Sequence, residues 1–229
     1  MVDLAALKEA NAKRWETAKT TRNFLSVAQA LVRSDAKPRY LVVSRTTGVP
    51  WFFIAVVHER ESSQSWKASL AQGDPWNEVS RHVPAGRGPF NSWEEAAVDA
   101  LVNCPPFAAK NKDWSVGGLL TMLEEYNGLG YAQRGVPSPY LWSGTNQYSS
   151  GKYIADGVYS PTAIDAQLGC AGLILGMMRL DRTISFGAPL TVPPVVEAPS
   201  IAKPAKGSIG AAIAALFSAI AAIFKRKSP

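Results

Sequence analysis

Apolar side chains recur at helical spacing through most of the first 180 residues. Residues 3–23 carry Leu4, Leu7, Ala10 or Asn11, and Trp15 along one face, and 24–32 continue the pattern. A third helix is predicted over 38–45, stopping before Thr46-Thr47-Gly48. Pro50 then opens a fourth, 50–62, at the position where a helix tolerates proline. Its first half, WFFIAVV, is apolar on every side and therefore predicts a helix enclosed by protein. Its end turns abruptly to His58, Glu59, Arg60 and Glu61.

Further along, Ser92 and Glu95 have capping-box spacing for a helix over 92–102. Asp113 is placed to cap another that ends at Asn127-Gly128. Ser160-Pro161 starts a last helix, through about Leu180, with Ile164, Leu168, Ala171 or Gly172, and Leu175 on one face. Two long irregular stretches, 65–91 and 129–159, interrupt the helices, and loops of that length within a compact domain are usually functional. With six or more helices and no clear strand, the expected fold class is all-α: one helical domain over 1–182 with two long loops.

From Thr183 the pattern changes. Residues 183–207 hold five prolines and predict an extended linker. SIGAAIAALFSAIAAIF, 208–224, then runs without a charge and is followed by the basic end 225–229, with Lys225-Arg226-Lys227. Its large residues form one helical stripe and its Ala, Gly and Ser the other. A helix of that length spans about 26 Å, the short edge of a transmembrane segment and a plausible interfacial one, so a membrane partner is expected through 208–227. Lys203 and Lys206 on one side nearly balance the cations on the other, and topology is not fixed.

Charge sharpens this division. The net charge of +6 is uneven: beyond Thr183 one acid, Glu197, faces five cations. A mildly basic body with a more basic tail suits an anionic partner, and bacterial wall and anionic lipid fit better than nucleic acid, for which there is no motif. Two cysteines, Cys104 and Cys170, and two histidines, His58 and His82, give no zinc pattern, and neither metal nor cofactor is expected. Both cysteines are read as buried thiols. The first 15 residues lack the apolar run of a secretory signal, which points to synthesis in the cytoplasm.

The chemistry is sought at the end of the apolar helix. A carboxylic acid at the edge of an apolar core has its pKa raised by desolvation, as a general acid working near neutrality requires. Glu61 is better placed than Glu59 if the face bearing Trp51, Ile54 and His58 looks into a cleft. A surface cluster of Glu59, Arg60 and Glu61, paired among themselves, is the competing reading. Asp74 sits in a Gly-Asp-Pro turn; folded back on the cleft it would face Glu61, and two carboxylates across a cleft make a glycosidase. Tyr126-Asn127-Gly128 ends a helix.

Glu61-Ser62 at the end of a buried helix, then Gly73-Asp74, then Tyr126-Asn127-Gly128, resembles the goose-type lysozyme and lytic transglycosylase superfamily. Phage and bacterial lysozyme-like proteins are similar over more of the chain: TGVPW at 47–51, HERES at 58–62, GDP at 73–75, VPAGR at 83–87, WEEAAVDAL at 93–101, YNGLGY at 126–131, SPYLW at 138–142 and GKYIADGVYSP at 151–161. The chain departs from that pattern at Ser63, where such proteins carry Gly, and at Ala71-Gln72, where they carry His-Asn. The resemblance implies a lysozyme-like helical fold with two cleft-lining loops and a muramidase that cleaves the MurNAc–GlcNAc β-1,4 bond of peptidoglycan. Glu61 would be the acid and Asp74 would hold the attacking water. Tyr126 would position Glu61 or the sugar, beside Asn127. Tyr140, Trp142, Tyr148 and Tyr153 would offer stacking faces, and His58 would be helper or core residue. A phage or prophage endolysin acting at the cell wall is the implied role. A lytic transglycosylase and a non-catalytic, membrane-anchored wall-binding protein are the alternatives.

Overall fold

Helix-forming runs and their stop signals account for most of the observed elements. The computed structural model describes residues 2–71 and 73–187, all within one compact unit. Nine α-helices and one two-stranded sheet are found among the described residues. They are α1 (Leu4–Thr17), α2 (Leu25–Val32), α3 (Lys37–Thr47), α4 (Trp51–Ser62), α5 (Trp93–Asn103), α6 (Val116–Asn127), α7 (Gly130–Gln133), α8 (Pro139–Trp142), β1 (Lys152–Ala155), β2 (Val158–Ser160) and α9 (Cys170–Leu180). The mainly helical class follows.

Helix α4 is the axis of the molecule. Every residue from Trp51 to His58 is buried, and the helix packs against α2, α3, α6 and α9. At roughly 1.5–3 kcal/mol per large apolar side chain, this one segment contributes a large share of the burial that offsets chain entropy. Against the start of α2, α9 lies so close that a Cβ at Gly172 would stand 2.3 Å from the Phe24 ring, so only glycine allows the approach.

The caps show where local signals held and where they shifted. Asp3 accepts from the amides of Ala5 and Ala6, and the first helix stops at Thr17 rather than running to 23. Ser92 accepts from Glu95 N at 3.1 Å, but the Glu95 carboxylate reaches back to the Asn91 amide instead of closing a reciprocal box. Ser115, not Asp113, caps α6; Asp113 holds the Ser115 amide and pairs with Lys8. The helix still ends at Asn127, with Gly128 following at φ 90°.

Two expectations are corrected. The predicted helix from Ser160 begins only at Cys170: Ile164 is largely exposed, so the apolar stripe read there does not face a core. The stretch 129–159 also contains a strand pair, Tyr153 opposite Tyr159, turning at Asp156-Gly157. Asp-Gly is the two-residue hairpin signal, overlooked because each strand is only three or four residues long.

Residues 183–187, expected as the start of the linker, are packed on the domain. Phe186 meets Trp15 edge-on at 5.2 Å and Phe52 at 5.8 Å, and the Gly187 amide bonds to the Trp114 carbonyl. The remaining linker, the hydrophobic helix 208–224 and the basic end 225–229 lie outside the described residues. Among the described residues no single helix is long and apolar enough to cross a membrane; α3 and α4 meet that criterion only as a pair bent by 115°. Cys104 and Cys170 are both buried free thiols.

Candidate active site

Helix α4 delivers Glu61 from the core to the protein's edge. The chain then leaves the helix through two successive left-handed residues, Ser63 at φ 49° and Gln64 at φ 61°, whose amides bond back to the carbonyls of Glu59 and His58. This tight exit leaves Glu61 half-buried in the last turn.

Burial pushes the Glu61 pKa up to about 7, against the opposing pull of a Tyr140 hydrogen bond and the Arg60 charge. The Tyr140 hydroxyl, itself buried on α8, donates to Glu61 Oε1 at 2.8 Å. Among the described residues Oε2 has no hydrogen-bond partner. Glu59, two residues earlier, instead accepts from the Gln64 amide at 2.7 Å.

The loop after α4 folds back on the helix end, while Asp74, like Glu61, is off the lining of the neighbouring cleft. Gly73, at φ 71°, passes so near that a Cβ there would lie 3.2 Å from the Glu61 carbonyl oxygen. Asp74 Oδ2 accepts from the amides of Arg81 and His82, and Oδ1 pairs with His82 Nδ1 at 2.7 Å. The His82 amide and ring, followed by the Arg81 amide, hold the Asp74 carboxyl down at about 2. Asp74 is therefore an anion throughout the ordinary pH range, ordered by a partner that sequence reasoning did not connect to it.

The remaining predicted residues divide. Tyr126 ends α6 near Glu61, but its hydroxyl donates to the Leu70 carbonyl at 3.1 Å, so it braces the loop leading to Asp74 rather than the Glu61 carboxyl. Tyr140 is a hydrogen-bond donor to Glu61 and not an open stacking face. Trp142 is wholly buried and offers no face to a sugar. Tyr148 donates to the carbonyls of Gly151 and Ala163 and receives the Asp165 amide, bracing its own loop.

His58 is fully buried: Nε2 donates to the Ser65 carbonyl at 3.1 Å and Nδ1 accepts from Tyr40 at 2.9 Å. It stacks among Trp66 and Trp93, and burial lowers its pKa to about 4. It is a neutral core residue whose ring nitrogens are committed to Tyr40 and Ser65 and not to Glu61.

Beside Glu61 opens a cleft of about 510 Å³. Glu61 is not on its lining, but its neighbour Arg60 and its partner Tyr140 are, together with Asn127, Tyr131, Tyr153 and the tip of the β1–β2 hairpin. A larger hollow, about 770 Å³ between α1 and residues 132–136, contains none of the predicted site residues. Arg60 does not pair with Glu59. It crosses to Asp165 at 3.0 Å, lies 4.8 Å over the Tyr140 ring, and donates to the Leu168 carbonyl. Lys152 of β1 takes the other Asp165 oxygen at 3.0 Å. Burial would raise the Asp165 pKa, yet Arg60 and Lys152 hold it below the usual carboxylate range. Sequence carried no signal for this triad, whose members stand 105 and 13 residues from Asp165.

Among the described residues no three His, Cys, Asp or Glu side chains gather as a metal site. The arrangement can protonate a leaving group from a carboxylic acid next to an aromatic, polar cleft. No family model, curated protein or solved structure matches the chain.

Proposed function

We propose that the protein is a muramidase of lysozyme-like fold, cleaving the β-1,4 bond between N-acetylmuramic acid and N-acetylglucosamine in peptidoglycan. The observation that carries this reading is Glu61: a carboxyl whose pKa burial raises to about 7, held by Tyr140 beside a cleft that Tyr140 and Arg60 line, with the Gly73-Asp74 turn packed on its backbone. Glu61 gives its proton to the bridging oxygen as the bond from C1 breaks. Asp74, anionic at every working pH, orients a water whose oxygen bonds to C1 and whose proton leaves to solvent or to the carboxylate. Tyr153, on the cleft lining and backed by buried Tyr131, supplies sugar-facing aromatic surface.

The commitment of Asp74 to His82 and two amides favours a second reading of the same site. If those bonds leave no room for a water, the sugar's own 6-hydroxyl attacks and the enzyme is a lytic transglycosylase. Mass spectrometry of muropeptides released from purified sacculi separates the two: reducing ends mark hydrolysis and 1,6-anhydro ends the transglycosylase. Glu61→Gln is expected to release neither. A variant as active as wild type would remove Glu61 as the acid, and a wild-type protein that releases nothing would leave a wall-binding role.

The biological setting proposed is host lysis by a phage or prophage endolysin, with the hydrophobic segment 208–224 and its basic end engaging a membrane.

A further inference from the structure

We propose that the cleft beside Glu61 is a subsite for a carboxylate carried by the glycan, seated against Arg60 and Lys152; this rests on the muramidase reading and names which strands it takes. The cleft wall holds two cations and one acid between them. Arg60 and Asp165 are each 7% exposed in their side chains, and Lys152 reaches Asp165 from the hairpin. Asp165 alone cannot neutralise both cations, so this part of the wall keeps an excess positive charge.

The hydrogen-bond inventory points the same way. Lys152 has three ammonium protons and spends one on Asp165. It is the more open of the two cations and lies on the cleft lining. The tether from the hairpin to α4 runs from Lys152 through Asp165 to Arg60, and it leaves two of the Lys152 ammonium protons unspent. The opposing charge on the lining is Asp156, exposed at the hairpin tip, where solvent screens it. A chitin-like strand brings no carboxylate to this wall, whereas muramic acid does, through its lactyl group or the peptide attached to it.

Calorimetric titration of the full chain tests this with two ligand pairs: N-acetylmuramic acid against its methyl ester, and a muramyl peptide against the same peptide with amidated carboxylates. Wild type is expected to bind the charged member of at least one pair about fivefold more tightly, the size of one partly exposed charge contact. The pair that shows the preference identifies the lactyl or the peptide carboxylate. Lys152→Gln should abolish the preference and Lys152→Arg restore it. Equal or absent binding within both pairs overturns the subsite, as does a Lys152→Gln variant that weakens charged and neutral ligands alike, the mark of a purely structural tether. Product release from sacculi is scored separately. If wild type releases none, the muramidase reading falls while the charge preference still decides the subsite.

Discussion

The Glu61 carboxyl is half-buried, and its ionisation costs folding free energy. With its folded-state pKa at about 7, above the ordinary value of 4.5, the folded state holds the proton more tightly than the unfolded chain. That contribution is full below about pH 4.5 and is lost as pH rises through 7. Glu61→Gln mimics the neutral acid, so chemical denaturation should find it equal to wild type at pH 4 and more stable by about 3 kcal/mol at pH 8. Equal stability at both would show the carboxyl to be better solvated than its surroundings indicate. On the proposed mechanism the same proton sets activity, which should fall above pH 7 as Glu61 ionises. Tyr140→Phe removes a donor that favours the charged form, so the alkaline limb of kcat/KM should move up by about one pH unit. A limb that stays in place would mean another group titrates there. Asp74, ionised down to about 2, sets no limit in the accessible range.

Among the elements, α4 matters most, and its exit is strained. Ser63 and Gln64 both adopt positive φ, a conformation costly to residues with a Cβ and natural to glycine. Ser63→Gly should raise stability by about 0.5 to 1 kcal/mol and Tm by about 2 °C, read by a thermal melt at fixed pH. A fall in Tm would show that the Ser63 side chain contributes more than its backbone costs. Elements also mark where pattern reading failed. In 160–169 the spacing of Ile164 and Leu168 imitates a helix, yet Ile164 is exposed and the segment instead carries Asp165 to Arg60 and Lys152. The hairpin was missed because two strands of four and three residues leave almost no alternation to detect.

At the scale of the whole molecule, the helical unit carries the site by itself, while residues 208–229 carry the proposed membrane contact. Removing 207–229 should leave muropeptide release from purified sacculi unchanged and weaken lysis of intact cells; undiminished lysis would remove the tail from the mechanism.

Sequence alone determined the helical class and the enclosure of α4, and singled out Glu61 as the candidate acid, because these depend on local periodicity and on an apolar run that ends in acid. It also placed Asp74 in a turn able to return to the helix end. Tertiary structure alone decided the partners. Tyr140 lies 79 residues from Glu61, and Asp165 lies 105 from Arg60. Such contacts are made by packing helices and loops that share no local pattern. The same packing took His58 and Trp142 into the core: both are compatible with either surface or interior by composition, and only the neighbours that surround them settle the matter.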